Sequence, residues 1–134
     1  MFKLIKILNS GVNVPEPCRI PKATGTAFKA GSAVMLADGA AISCTATQAP
    51  EFITMAAAAS TEDSVLCYKV FPDMIFEAPI TAAPSALSVG ESVTLGIDGD
   101  GEASAVTATV TSGVAYIYSL DGASTAGDKI TVKF

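Results

Sequence analysis

The sequence predicts an all-β fold, a small β-barrel or β-sandwich with an extended N-terminal arm, and three observations predict it. Short stretches rich in Val, Ile and Thr recur at intervals of roughly 8 to 12 residues, the spacing of strands in sandwiches and barrels. Turn chemistry punctuates them at Asp38-Gly39, Asp98-Gly99, Ser112-Gly113 and Asp121-Gly122, where Gly takes positive φ without penalty and Asp tolerates it. Val and Thr are abundant, and stiff, branched side chains suit a pleated surface.

Taken in order, Phe2 to Leu8 reads as a strand or an extended arm with apolar residues on both faces. Asn9 to Lys22 carries Gly11, Pro15, Pro17 and Pro21. Prolines at that density preclude a helix and favour extended backbone at a surface or sheet edge. Residues 1–27 are therefore expected to form the arm and 28–134 the β domain, with a candidate internal boundary near 81–86. Ala33–Ala37 and Ala40–Ala46 flank Asp38-Gly39 as a hairpin. Phe52–Met55 is the next strand. Ala56 to Ala59 are good helix formers, but four residues are too few for a stable helix and Ser60-Thr61-Glu62-Asp63 stops them, so one turn at most is expected.

Val65–Val70 and Met74–Ile80 read as strands separated by Pro72-Asp73. Thr81 to Ser85 is a connector, followed by strands at Val93–Ile97, Val106–Val110 and Val114–Leu120. The alternation of Thr with apolar residues over 106–110 predicts a half-buried strand, and Lys129 to Phe134 alternates in the same way. A short pattern also repeats. Phe28-x-x-Gly31-x-x-Val34 matches Leu87-x-x-Gly90-x-x-Val93, and Gly127 precedes Ile130 similarly. Each glycine is expected to sit in a tight turn that needs positive φ or close approach. The repeat raises two related β lobes as one form of the fold.

Composition excludes several functions. The chain has 134 residues, enough for one ordinary domain whose core needs no metal or disulfide staple. The net charge is −5 and no two of the eight basic residues are adjacent. Nucleic acids and anionic membranes both require a concentrated basic patch, so neither is expected as a partner. The N-terminal stretch is broken by Lys3 and Lys6 and lacks the form of a signal peptide, and no apolar run reaches membrane-helix length. The expectation is a chain made in a cytoplasm that stays soluble.

No enzyme is expected. There is no His, which removes the commonest general base near neutral pH and the usual activator of Ser and Cys nucleophiles. Nucleotide-binding glycine motifs and the nucleophile elbow are absent. Glu51, Glu62, Glu77, Glu91 and Glu102 sit mostly beside turns and read as solvated surface rather than as a hydrolytic pair. Asp98, Asp100 and Glu102 match the start of a calcium loop, but Ala103 and Thr109 stand where that loop needs Gly and Glu. A flexible hairpin tip is expected there, with no metal and no cofactor.

Cys18, Cys44 and Cys67 have no zinc-site spacing and read as small buried hydrophobes, a single Cys44–Cys67 bridge being the alternative. Tyr116 and Tyr118 lie two apart, hence on one strand face. They suit a core face or an interface, or alternatively a sugar-stacking platform.

One resemblance extends this reading. Phe71-Pro72-Asp73-Met74-Ile75-Phe76-Glu77-Ala78-Pro79-Ile80, then Leu87-Ser88-Val89-Gly90-Glu91-Ser92-Val93-Thr94-Leu95, Asp98-Gly99, Ser112-Gly113-Val114-Ala115 and Ala126-Gly127-Asp128-Lys129-Ile130-Thr131-Val132 together resemble the decoration, or cement, proteins of tailed-phage capsids. The resemblance covers roughly residues 28–134. It implies a homotrimer that binds the major capsid protein on the virion exterior, with no catalytic residues. Other virion components, such as a head fibre or tail-tube piece, and a small carbohydrate-binding module are the alternatives. The apolar residues of 2–8 are expected to serve assembly by docking to a partner, the alternative being a strand of the chain's own sheet.

Overall fold

In the computed structural model, which describes residues 1–8 and 15–134, the chain forms two antiparallel sheets packed face to face. The strands are β1 (Lys3–Ile7), β2 (Pro17–Pro21), β3 (Ala33–Ala37), β4 (Ala40–Ser43), β5 (Phe52–Thr54), β6 (Ser64–Lys69), β7 (Met74–Pro79), β8 (Ser92–Val93), β9 (Leu95–Ile97), β10 (Ala103–Val106), β11 (Ala115–Ser119) and β12 (Lys129–Lys133). No helix occurs among the described residues, so none there is long and apolar enough to cross a membrane. One sheet has five strands in the order β1-β7-β12-β11-β8. The other has seven, β2-β6-β5-β3-β10-β9, with β4 paired to β3. The sheets do not close into a barrel; the arrangement is a sandwich.

Turn chemistry sets the hairpins. Asp38 and Gly39 adopt φ of 50° and 79° between β3 and β4, and Asp121 and Gly122 take the same pair of values after β11. Between β3 and β4 the two left-handed residues are the whole of a tight hairpin loop, whose twist matches that of the strands, whereas after β11 the same pair opens a longer connection to β12. The three copies of the repeated pattern share one local geometry. Gly31, Gly90 and Gly127 all have positive φ, and each donates its N–H to a carbonyl of a neighbouring segment, respectively Thr54, Ile117 and Ile80, at 2.7–3.0 Å. The repeat is thus a recurring lead-in turn, used once in the seven-stranded sheet and twice in the five-stranded one.

Residues 92–97 pass from one sheet to the other. Ser92 and Val93 pair with β11, whereas Leu95 to Ile97 pair with β10. Thr94 is the pivot. Its N–H donates to Thr109 O, its carbonyl accepts from Thr107 N, and its hydroxyl meets that of Thr107 at 2.7 Å. This corrects the strand expected over 106–110. β10 ends at Val106, and 107–109 wrap around Thr94 instead of continuing a ladder. The threonines there are spent on hydrogen bonds rather than on a half-buried face. Gly113 packs against the same pivot: a Cβ at this position would lie 2.1 Å from Ser92 O.

The main core lies between the sheets. Phe76, Ala78, Val93, Ala115, Ile117, Ile130 and Val132 of the five-stranded sheet face Ala33, Ile53, Tyr68, Leu95, Ala103 and Val106 of the seven-stranded one. Phe76 stacks on Tyr68 across the layers with centroids 6.3 Å apart, and Phe134 joins Phe76 to Phe2. The connector at 81–86 leaves this core at Ile80 and re-enters it at Leu87. A second, smaller cluster of Ile20, Phe28, Val34, Ala41, Ala58, Val65 and Cys67 covers the opposite face of the seven-stranded sheet. It is roofed by the segments around Phe28 and Ala58, which bridge one another. Ala58 is in that bridge, not in a helical turn.

The N-terminal segment supplies the edge strand of each sheet, β1 on one and β2 on the other. The docking role expected for residues 2–8 is corrected. β1 pairs antiparallel with β7, and Phe2 is 2% exposed within the chain's own core. The physical reason is that β1 completes the cover over the Phe76–Phe134 aromatic group. Residues 9–14 of the expected arm, including Gly11, lie outside the described residues.

Candidate functional site

The outer faces of the two sheets differ, and that difference places the candidate site. Behind the seven-stranded sheet lie the second cluster and its roof. The five-stranded sheet turns Tyr116, Tyr118, Lys129 and Lys133 outward to solvent, while Ile75 and Thr131 on the same side are 2% and 7% exposed. On β11, Ala115 and Ile117 point inward and are fully buried, so Tyr116 and Tyr118 point out, 37% and 44% exposed. On β12, Ile130 and Val132 point in, so Lys129, Thr131 and Lys133 point out. On β7 the register sets Glu77 opposite Thr131, and β1 sets Lys3 opposite Glu77.

These side chains interact across the strands. Lys133 Nζ lies 4.9 Å from the Tyr116 ring centroid, within cation–π range. Lys129 donates to Glu77 Oε1 at 2.6 Å. Thr131 donates to Asp121, which also accepts from Ser119 Oγ. Beside this face is an open polar concavity of about 510 Å³, lined by Glu77, Asp121, Ala123, Gly127, Asp128 and Lys129. Asp128 accepts the N–H groups of Ser124 and Thr125, and these bonds hold its carboxyl below its ordinary value. Those acids are therefore occupied in fixing loops. The face offers two aromatic rings and two lysines on paired strands, with the β11–β12 register shifting between Ile117 and Ser119, which suits contact with another surface.

The other sequence candidates are dispersed or committed to structure. Glu62 and Glu91 accept the N–H three residues back, from Ala59 and Ser88, and so cap turns. Glu51 accepts from Leu36 N. Glu102 departs from its expected place on the surface: it is 6% exposed and accepts from Lys29 N and from the Ser32 hydroxyl. The hairpin tip is likewise pinned rather than free. Lys29 Nζ reaches Asp98 at 2.8 Å and Asp100 at 2.6 Å. The side-chain bond from Lys29 holds the Asp98 carboxyl below its ordinary value. The three acids of the calcium-like pattern thus diverge, two toward Lys29 and one inward. No group of His, Cys, Asp and Glu able to hold a metal occurs among the described residues.

Cys44 and Cys67 are buried free thiols and Cys18 is only partly buried. The Cys44–Cys67 bridge is corrected: Cys44 packs in the main core and Cys67 in the second cluster, on opposite faces of one sheet. Sequence reasoning missed Lys29, Ser32 and the pairing of Cys18 with Cys67. The first two act across some seventy residues of chain, and no local pattern marks such a contact. The flanking prolines at 17 and 21 signalled an edge strand, but not the register that sets Cys18 against Cys67.

The chain matches no protein-family model, and a search of curated proteins returns no match.

Proposed function

We propose that this chain is a structural protein of a tailed-phage virion, a decoration protein that binds the outside of the assembled capsid and stabilises it. The observation that carries the reading is how the resembling segments are used. The run Phe71–Ile80 contains β7, Leu87–Leu95 contains β8, Ser112–Ala115 leads into β11, and Ala126–Val132 builds most of β12. Together they supply β7, β8, most of β12 and the first residue of β11 in the five-stranded sheet, while Leu95 and Asp98-Gly99 belong to β9 and its hairpin in the other. The resembling runs are weighted toward the five-stranded sheet, which supports reading its outer face as the contact surface.

On this reading the partners are the major capsid protein and two further copies of the chain in a homotrimer. The protein acts through surface contact, with no catalytic residue and no cofactor. Tyr116, Tyr118 and Lys133 are assigned to contact. Tyrosine gives large area at low entropic cost, and its hydroxyl tolerates a wet rim. A head fibre or tail-tube component would use the same surface differently. A carbohydrate-binding module remains the alternative from another class, because two exposed tyrosines on one strand face could stack on sugar rings.

Purified full-length protein should co-sediment with emptied phage shells, and mass spectrometry of purified virions should find it in many copies. A monomer by light scattering that ignores shells but binds a glycan array would overturn the reading in favour of the carbohydrate module.

A further inference from the structure

We propose that Cys18 and Cys67 form an intramolecular disulfide when the folded protein meets a low-molecular-weight disulfide, fastening the edge strand β2 to β6. The inference is independent of the proposed function, since it rests on strand register alone.

Cys18 and Cys67 are direct partners in the antiparallel β2–β6 ladder. The phase of that ladder follows from its hydrogen bonds. Lys22 N donates to Asp63 O, which makes Lys22–Asp63 a hydrogen-bonded pair. Counting back by twos, Ile20–Val65 and Cys18–Cys67 share that phase. Pro17 and Pro21, which have no N–H to give, fall on the other phase. In a hydrogen-bonded antiparallel pair the Cα atoms stand about 5.5 Å apart. Disulfides span Cα separations of roughly 4.4 to 6.8 Å but need Cβ atoms about 3.5 to 4.5 Å apart. Opposed Cβ atoms of a hydrogen-bonded pair stand at about 5.5 Å, so the edge strand β2 draws about 1 Å toward β6 as the bond forms. Directly opposed residues also point to the same face, and Cys18 packs against the cluster that contains Cys67.

Access is one-sided. Cys67 is fully buried, whereas Cys18 is partly exposed and lines an open groove of about 350 Å³ with Phe52, Phe71 and Met74. The chemistry then runs in two exchanges. The Cys18 thiolate attacks one sulfur of oxidised glutathione, breaking its S–S bond and releasing one glutathione thiolate. Cys67, losing its proton to solvent, attacks the Cys18 sulfur of the mixed disulfide and releases the second. Two protein thiols are oxidised and one glutathione disulfide is reduced to two thiols. Burial pushes the Cys67 thiol up to about 12, so the second exchange is the slow one and quickens with pH. Cys44 lies across the sheet in the other core and takes no part.

The test is to incubate the full-length protein with oxidised glutathione at mildly alkaline pH, then quench with acid and map the peptides without reductant. The expected product has lost two hydrogens in mass, links the Cys18 and Cys67 peptides, and leaves Cys44 open to alkylation after denaturation. Its melting temperature should rise by roughly 5 to 15 °C, as for closure of a long loop in a domain of this size, and fall back with dithiothreitol. The Cys44→Ala variant should give the same link and the same shift. Cys18→Ala, which alters only a partly exposed edge position and so folds, should give neither. A stable glutathione adduct on Cys18 with Cys67 still a thiol would overturn the proposal. So would a bridge to Cys44, or a link that lowers the melting temperature.

Discussion

The seven-stranded sheet and the five-stranded sheet solve the same problem in opposite ways. Both bury their inner faces in a common core. The seven-stranded sheet also buries part of its outer face, because Ile20, Val34, Val65 and Cys67 project there and the segments at Phe28 and Ala58 fold over them. The five-stranded sheet exposes Tyr116, Tyr118, Lys129 and Lys133 on its outer face, with Ile75 and Thr131 shielded beside them. A sheet covered on both sides can serve only as scaffold. One covered on a single side keeps a rigid surface free for contact. The edges are handled differently too. β2 directs Pro17, Arg19 and Pro21 away from β6, so two of three outward donors are missing and strand addition is discouraged. β1 breaks its ladder between Leu4 and Lys6 and carries lysines, which blunts that edge.

The sharpest test of the two-core description is a pair of truncations. Phe76 is fully buried between the sheets, against both Tyr68 and Phe134. Phe76→Ala should cost about 4 to 5 kcal/mol, because two rigid sheets cannot close over the cavity. Phe28 is 3% exposed but lies under a loop. Phe28→Ala should cost nearer 3 kcal/mol, since the roof can settle. Equal losses in denaturant titrations would mean the roof is as stiff as the sheets.

Next in size is Glu102, which ties the hairpin between β9 and β10 to the start of β3. Its carboxylate accepts from Lys29 N and Ser32 Oγ, and Ser32 is fully buried. Glu102→Ala strands both donors and should destabilise by about 2 to 3 kcal/mol. Glu102→Gln keeps an acceptor and should recover part of that. If both variants melt like the parent, the tie contributes nothing to folding.

Alkaline pH should separate the cores by a smaller effect. Burial pushes the thiols of Cys44 and Cys67 up from 9.0 to about 12 each, with Glu51 and Cys18 respectively adding to the shift. A folded-state pKa raised in this way gives stability that is fully present below pH 9 and is lost as pH climbs toward 12. Melting temperature should therefore decline through that window. Cys44→Ala should flatten the decline through the main core, and Cys67→Ala through the second cluster. On the acid side the sign reverses. The depressed carboxyls of Asp98 and Asp128 contribute above their ordinary value of 3.8, and that contribution fades as pH falls below it.

How much of this could be read from the sequence follows from the range of each interaction. The hairpin at Asp38-Gly39 was legible because two adjacent residues carry the whole backbone requirement. Gly31, Gly90 and Gly127 were legible as positive-φ turns for the same reason. The strand expected at 106–110 failed because alternating Thr and apolar residues describe two situations equally well, a half-buried ladder and a polar wrap around Thr94. Glu102 was expected on the surface because its neighbours Asp98, Gly99, Asp100 and Gly101 are turn residues, while Ser32, which takes it inward, is 70 residues away. The outward face of Tyr116 and Tyr118 was half legible. Their spacing put them on one side, but which side depended on the buried faces of β7 and β12.

A smaller effect on stability than at Glu102 is expected at that tyrosine pair, and there the contrast between the sheets meets the proposed function. Tyr116 and Tyr118 are 37% and 44% exposed, and the Lys133 amine lies over the Tyr116 ring. Replacing both with Ser removes a surface cation–π contact and the covered part of both rings, so the variant should be less stable by about 1 to 2 kcal/mol. Ser keeps a hydroxyl and lowers β-propensity only modestly at these solvent-facing positions. If the open face contacts a shell, the double variant should stay folded, with a modestly lowered melting curve, yet lose most of its co-sedimentation, because aromatic anchors dominate interfaces. A control at the covered sheet sharpens the result. Leu36→Ser changes a side chain on β3 that is 37% exposed, as Tyr116 is, and should cost stability of about 1 kcal/mol while leaving shell binding near the parent's. Loss of binding in Leu36→Ser with retention in the tyrosine variant would move the contact surface to the seven-stranded sheet and reverse the assignment of the two faces.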